Sequence, residues 1–364
     1  MTEKNNITGI TALRGLAASL VLIVHSSSLL GFKHNISPLT TLTNIGVDIF
    51  FIISGFIITY AHWNDFGKGG VAITNFFKKR SLRIYPMYFL FTILTAIAVY
   101  LLPQLFSAMK FSNGLLLKSL LFLPSEMTDS SISLLLAVAW TLSFEVLFYI
   151  IFSVTLFFSR TVAIRMILLM LIMWAVLALT ITSDNYMISF FASTLPLEFL
   201  FGVILCVFYK KEKTYLGVVK NNKIGSIFLI AIAVFSLIAF CYLFPIEQRE
   251  LRDNARFLYF GVPSVFIFMA FLNNAVNEAS VSGRLVKLIG NASYVTYLSH
   301  FMTIGCIKFV MNRITWLQEI NLFITVVISC IACTLVGITV HKVIEVPVTR
   351  FLNNRTIFGT RTAC

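Results

Sequence analysis

Residues 12–28, with the sequence ALRGLAASLVLIVHSSS, decide the fold class of this chain. The stretch is almost entirely apolar, and with its flanks it reaches the ~20 residues that a helix needs to cross ~30 Å of hydrocarbon. It is long, it contains Arg14 and His25, and no small-x-small cleavage site follows it, so we expect a retained helix rather than a signal peptide. Spanning a bilayer requires neither Arg14 nor His25, and these two residues therefore need another explanation.

The composition extends this reading to the whole chain. Of the 364 residues, 58% are hydrophobic and 12% are charged, and the mean hydropathy is +0.90. Such values are typical of a polytopic membrane protein. We predict an all-α integral membrane protein that forms a single domain over residues 1–364, with no appended soluble domain. Apolar runs of spanning length predict about ten transmembrane helices, at residues 10–30, 44–62, 84–103, 134–158, 163–182, 190–209, 224–244, 256–273, 288–310 and 321–343.

The charge distribution predicts the orientation. The net charge is +13, and most Lys and Arg residues fall on segments that share the side of the N-terminus. By the positive-inside rule this bias places both termini in the cytoplasm, and it does not call for a nucleic-acid partner. Residues 104–133 are too interrupted for a span, so we expect an outer-side interfacial or re-entrant helix there.

Ionisable side chains inside the predicted spans are the first candidates for function. Each costs a few kcal/mol on insertion scales and is expected to face the bundle interior. For any one of them, a structural hydrogen bond between helices is an equal alternative, but several in one bundle favour a function. We predict no metal site. The candidates are His25, Glu145, Glu198 and His300, with Asp48 nearer the outer end of its span.

Arg14 and His25 are eleven residues apart on one predicted helix. This spacing places them within about 20° of the same face and ~16 Å apart along the axis. Arg binds phosphates or carboxylates through a planar fork, and His exchanges a proton near neutral pH. The pair predicts a tunnel that holds a long anionic donor at its cytoplasmic mouth and the reactive end of that donor at His25.

A second basic cluster, FFKKRSLRIYPMY at residues 76–88, suits that mouth. Arg80 and Arg83 stand at i and i+3 and share a helix face. They are suited to a phosphate-rich donor such as coenzyme A. Lys78 and Lys79 are more typical of positive-inside anchoring.

An ordered set of motifs carries a family resemblance. LRG at 13–15 precedes His25, and it is followed by GVDIFFIISGFIIT, RSLRIYPMY, WTLSFEVLFY, LEFLFG, GNASYVTYLSH and VIEVP, over residues 11–347. In this order the chain resembles acyltransferase family 3, the membrane sugar O-acyltransferases, and most of all the exopolysaccharide and O-antigen O-acetyltransferases.

The resemblance implies transfer of an acyl group, most often acetyl, from cytoplasmic acyl-CoA to a hydroxyl of a cell-surface glycan or its lipid-linked precursor. It also implies location in the bacterial inner membrane and no permanently bound cofactor. The resemblance assigns the family's essential Arg and His to Arg14 and His25, and its RxxR pair to Arg80 and Arg83. It likewise assigns the SGF turn to Ser54 and Gly55, and the acid after the WTL stretch to Glu145.

We therefore predict a catalytic His25 that acts as a base or as a transient acyl carrier, with Glu145 or Asp48 facing it and holding its imidazole in one tautomer. The predicted donor-binding residues are Arg14, Arg80, Arg83, Ser54 and Gly55. The predicted acceptor-binding residues are Glu198, Tyr297 and His300. We expect a solvated face, rather than a glycan clamp, for the outer-loop bases Arg249, Arg252 and Arg256.

Two alternatives stay open. Ten spans with buried charges also fit a carrier or flippase for a lipid-linked sugar, although paired broken spans in two halves are not visible. The acceptor is alternatively a protein, peptide or antibiotic, which changes the substrate but not the chemistry. The expected partners are acyl-CoA, a glycan or lipid-linked oligosaccharide and membrane lipids, with no nucleic acid. The oligomeric state is left open, a homo-oligomer included.

Overall fold

A computed structural model describes residues 4–30, 43–103, 106, 109–127, 131–211, 223–243, 255–272, 274, 276–314, 317 and 319–358. Helices dominate this part of the chain. In chain order they are α1 (Lys4–Leu30), α2 (Ile45–Ala61), α3 (Gly70–Leu101), α4 (Asn113–Leu120), α5 (Trp140–Thr155), α6 (Arg160–Thr180), α7 (Tyr186–Phe191), α8 (Pro196–Lys211), α9 (Lys223–Leu243), α10 (Val262–Leu272), α11 (Val281–Met311), α12 (Leu322–Val340) and α13 (Val346–Phe358).

The helices confirm an integral membrane protein. Among the described residues, seven helices are long and apolar enough to cross a membrane, and two shorter apolar helices cover Ile45–Ala61 and Phe257–Leu272. Helix α11 has 31 residues and covers the predicted span 288–310. Each of the ten predicted spans therefore falls on a helix or on two consecutive helical segments.

Residues 104–133 differ from the prediction. Their described part contains the short helix α4, followed by an antiparallel pair of strands, β1 (Ser125–Glu126) and β2 (Ile132–Ser133). The chain is thus not purely helical in this region, because the strands satisfy each other's backbone groups where the helix has ended. The Tyr88 hydroxyl of α3 donates to the backbone carbonyl of Ser119, and the Ser119 hydroxyl accepts from the backbone N–H of Leu135 at 2.9 Å. These bonds attach α4 to the helix bundle.

Glycines allow two helix pairs to approach very closely. A Cβ at Gly55 of α2 would lie 2.1 Å from the carbonyl oxygen of Phe199 in α8, and one at Gly290 of α11 would lie 2.0 Å from that of Thr11 in α1. Small residues at such crossings let membrane helices pack backbone against backbone. Gly55 therefore has a packing role in this structure. Its predicted role in donor binding stays a prediction.

Candidate functional site

A cavity lies between α1, α2, α3, α5 and α11. Its empty volume is about 650 Å³, a value that includes space open to the solvent. The structure brings together here five of the predicted site residues, which come from five different helices. They are Arg14, Ser54, Arg83, Glu145 and Tyr297.

The charges in this cavity are mixed, with an excess of cations. Arg14 lies within electrostatic range of Arg83 and Glu145, and also of Glu345 beyond the end of α12. Oε1 of Glu145 accepts hydrogen bonds from the Ser54 hydroxyl at 3.1 Å and from the Tyr149 hydroxyl at 2.6 Å. Ser54 therefore holds the carboxylate in place, and the guanidinium groups remain available to an anion.

Arg80 does not share the cavity wall with Arg83. It is 8% exposed and packs behind the wall, with its guanidinium carbon 5.9 Å from the ring centres of both Phe76 and Tyr149. Its buried Nε has no hydrogen-bond partner among the described residues. Arg80 and Arg83 therefore do not act on the same cavity as predicted, because the bundle buries the turn of α3 that carries Arg80 and leaves the turn with Arg83 at the cavity.

His25 lies further along α1 and does not line the cavity. Its ring centre is 5.1 Å from that of His300 and 4.8 Å from that of Phe301. The ring of His300 is in turn 5.8 Å from the ring of Tyr297, which does line the cavity. Tyr297 and His300 therefore connect the cationic cavity to His25. The interior location predicted for His300 is confirmed, and its role stays a prediction.

The two acids that were expected to orient His25 have other partners. Glu145 accepts from Ser54 and Tyr149, as described above. Asp48 is fully buried and forms a two-point ion pair with Arg256, in which Nε–Oδ1 is 2.9 Å and Nη2–Oδ2 is 2.8 Å. The prediction that Glu145 or Asp48 holds the His25 imidazole is wrong in this structure. The prediction of a solvated Arg256 is also wrong, because a buried carboxylate requires a cation.

Glu198 belongs to this same ion-pair cluster rather than to an acceptor site. It is fully buried, within electrostatic range of Asp48 and Arg256, and its Cγ would be 3.3 Å from a Cβ on Gly261. Neither of its carboxyl oxygens has a hydrogen-bond partner among the described residues. A group with no exposed surface cannot contact a glycan in this conformation, so the predicted acceptor contact is not observed.

Sequence reasoning missed several residues around the cavity. Tyr149 was not predicted, although its hydroxyl donates to Glu145. Tyr294 was predicted only as an interfacial belt residue, but it lines the cavity and its hydroxyl donates to the backbone carbonyl of Ile84 at 2.8 Å. Nδ1 of His341 lies 2.5 Å from Oε2 of Glu345, across the π-helical turn His341–Glu345. Glu345 was expected to cap its helix or to pair with a base, and the i and i+4 spacing identifies His341 as that base, because such residues share a helix face.

Comparison with known proteins indicates the same family as the sequence motifs. A family profile described as an acyltransferase domain matches residues 7–340. The chain is 29% identical over 313 residues to the exopolysaccharide production protein ExoZ of Rhizobium meliloti, covering 85% of this chain and 90% of that protein.

Two further relatives are more distant. The acyltransferase MdmB of Streptomyces mycarofaciens is 24% identical, over 82% of this chain and 79% of that protein. The O-acetyltransferase OatA of Staphylococcus aureus is 23% identical over 71% of this chain, and the match spans 45% of its own length. No solved structure matches the chain.

Proposed function

Because the chain belongs to the acyltransferase 3 family of membrane O-acyltransferases, we propose that it transfers an acetyl group from cytoplasmic acetyl-CoA to a glycan hydroxyl. The acceptor is a cell-surface polysaccharide or its lipid-linked precursor. The names of two relatives, an exopolysaccharide production protein and an O-acetyltransferase, support this choice of acceptor and acyl group. The enzyme acts in the bacterial inner membrane, with ten spans and both termini in the cytoplasm.

The observation that carries the proposal is a cationic cavity near two neighbouring imidazoles, that of His300, which is buried, and that of His25, which is half-buried. Arg14 and Arg83 line the cavity, and Tyr297 and His300 lead from it to His25. Arg14 and His25 are separated by ~16 Å along α1, which the narrow arm between the phosphates and the thioester of coenzyme A can bridge. In this arrangement the guanidinium groups bind the phosphates, and the thioester lies beside the imidazoles.

The binding of the donor then depends on the excess of positive charge. Before the donor binds, Glu145 partly balances the guanidinium groups, and Ser54 and Tyr149 keep that carboxylate in place. A donor with several phosphate charges restores the balance and forms charge-assisted hydrogen bonds with Arg83 and Arg14. Arg80, with an unpaired Nε behind the wall, adds positive potential without lining the cavity.

The chemistry is the exchange of a thioester for an oxygen ester. The acceptor oxygen attacks the carbonyl carbon, the C–O bond forms, the C–S bond breaks, and the hydroxyl proton ends on the coenzyme A sulfur. His25 takes the proton from the hydroxyl as a general base, or it carries the acyl group for a short time. The general-base route requires the imidazole within hydrogen-bond reach of the acceptor hydroxyl, whereas the acyl-carrier route requires it at the carbonyl carbon.

Mass spectrometry of the surface glycans, from cells with and without the gene, tests the proposed reaction. We expect the loss of one acetyl mass per repeating unit when the gene is absent. Uptake of a labelled sugar without any acylated product would instead support a carrier. An unchanged glycan together with loss of an acylated small molecule or peptide would support a different acceptor.

A His25→Ala variant tests the assignment of the catalytic residue. Turnover should be abolished, while the protein level and the binding of acyl-CoA remain close to those of the parent protein. Ser28→Ala, which changes an exposed residue one turn away on α1, is the matched control and should keep full activity. Turnover by His25→Ala would refute the assignment.

A further inference from the structure

The hydrogen bond at Nδ1 of His300 determines the protonation state of its other nitrogen. His300 is fully buried, and Nδ1 lies 2.6 Å from the backbone carbonyl oxygen of Tyr297. A carbonyl oxygen only accepts hydrogen bonds, so Nδ1 carries the hydrogen. In the neutral ring, Nε2 is therefore unprotonated and acts as an acceptor.

Nε2 of His300 has no hydrogen-bond partner among the described residues. A buried acceptor without a partner costs about 1–3 kcal/mol, and native proteins keep few of them. The titratable groups beside this imidazole are His25 from α1 and Tyr297 from its own helix. Cys333 of α12 contacts the backbone of His300 instead, with its Sγ 3.9 Å from the carbonyl oxygen. In the described part of the chain, no carboxylate, Lys or Arg is hydrogen-bonded to His300.

The distance between the two imidazoles is suitable for sharing a proton. Their ring centres are 5.1 Å apart, with the planes tilted by 39°. Two imidazoles joined by an N–H···N bond of about 2.9 Å have centres roughly 5 Å apart, since each nitrogen lies about 1 Å from its ring centre. The His25 ring contacts the rings of His300 and Phe301, and neither contact engages its nitrogens in another hydrogen bond.

We infer that His300 is the positioning residue for His25, and that its Nε2 accepts the N–H of the His25 imidazolium formed during acyl transfer. The inference rests on the proposed function, in its general-base route. The acceptor O–H bond breaks as the ester C–O bond forms, and the two imidazoles share the released proton. The C–S bond then breaks, and the proton passes to the coenzyme A sulfur.

A neutral partner suits this position in the membrane better than a carboxylate. A permanent charge deep in a helix bundle is costly, whereas His300 is uncharged until His25 takes up the proton. Glu145 and Asp48 are engaged elsewhere, so among the described residues the ring of His300 is the base beside His25. It spreads the transient positive charge over two rings, which stabilises the transition state without charging the resting enzyme.

Two substitutions separate this role from a structural one. His300→Asn keeps an amide N–H where Nδ1 donates to Tyr297 but removes the acceptor at Nε2. His300→Gln loses the bond to Tyr297 but places an amide oxygen near Nε2. If His300 positions His25, turnover falls by about 10²-fold in His300→Asn and by less in His300→Gln. A structural role predicts the reverse order, and that order would overturn the inference.

The pH dependence of turnover gives a second readout. His25 must be unprotonated to act as a base, and a partner that accepts its N–H stabilises the protonated form. Without this partner, the acidic limb of the pH–rate profile should move to lower pH in His300→Asn. A purely structural residue would leave the limb where it is, with a lower plateau.

Three controls separate a loss of function from a loss of folding. Ser299→Ala changes a buried neighbour on the same turn and should keep full turnover. Acyl-CoA binding and the thermal midpoint in detergent show whether each variant is folded. If both His300 variants unfold, ¹⁵N NMR of histidine-labelled parent protein still decides, because an Nε2–H tautomer of His300 would refute the inference. Absence of acyl transfer by the parent protein refutes the proposed function, and active His25→Ala refutes the catalytic assignment of His25. Inactive His25→Ala with fully active His300→Asn refutes the positioning role alone.

Discussion

Replacing Arg256 by Gln removes the cation that forms a two-point ion pair with Asp48. Asp48 has no exposed surface, whereas Arg256 is 21% exposed. Arg256→Gln therefore leaves a fully buried carboxylate without its cation. The carboxyl group of Glu198 lies within electrostatic range of this carboxylate. Asp48→Asn leaves a guanidinium that reaches water and keeps a contact with the Asn44 carbonyl oxygen at 3.4 Å.

The difference in burial between Arg256 and Asp48 sets the expected magnitudes. Removing one partner of a buried ion pair costs about 3–5 kcal/mol, and we expect this range for Arg256→Gln. A partly hydrated partner reduces the cost, so we expect about 1–3 kcal/mol for Asp48→Asn. The double variant carries two neutral amides that can bond to each other. It should therefore lose less stability than the sum of the single variants, by about 1–3 kcal/mol.

Reversible unfolding in mixed detergent micelles, followed by the fluorescence of the four Trp residues, measures these free energies. An Asp48→Asn variant that is as unstable as Arg256→Gln at neutral pH would refute the argument from burial.

Three further predictions concern packing, the donor and the cavity wall. Gly55→Ala should lower the free energy of unfolding by about 1–3 kcal/mol, because its Cβ would lie 2.1 Å from a backbone carbonyl oxygen of α8. Gly305→Ala, with no atom within 4 Å of the added Cβ, is the matched control, and an equal loss in both variants would contradict the packing role. Arg83→Lys should raise KM for acyl-CoA several-fold and keep kcat within about twofold of the parent value, because Lys lacks the planar fork of Arg. Steady-state kinetics measures both constants, and a fall in kcat alone would contradict donor binding by Arg83. Tyr149→Phe should cost about 1 kcal/mol in the same unfolding assay, since it deletes the 2.6 Å bond to Glu145, and an unchanged stability would show that this bond is not important.

The residues expected to affect stability and those expected to affect activity lie in different parts of the molecule. The ion pair of Asp48 and Arg256 joins the start of α2 to the segment that precedes α10, and neither of the two residues lines the cavity. Its loss should therefore lower stability more than it changes KM for the donor. His300 and Arg83 should show the opposite behaviour, with altered kinetics in a folded protein.

The placement of the helices was predictable from the sequence. Apolar length is a local property, so every predicted span falls on helical structure, and α1 carries both Arg14 and His25 as their spacing required. The ordered motifs likewise indicated the family that the profile match shows. The region around β1 and β2 was not predicted, because two-residue strands have too little pattern to be recognised.

The partners of the buried charges were decided by the tertiary structure. Asp48 and Arg256 are 208 residues apart, and nothing local to either residue names the other. The same limit explains why Glu145 was expected at His25 although it bonds Ser54 and Tyr149. Hydrophobicity along the chain determines which segments enter the membrane. The packing of those segments determines which side chains meet, and here it placed the neutral imidazole of His300, rather than a carboxylate, beside His25.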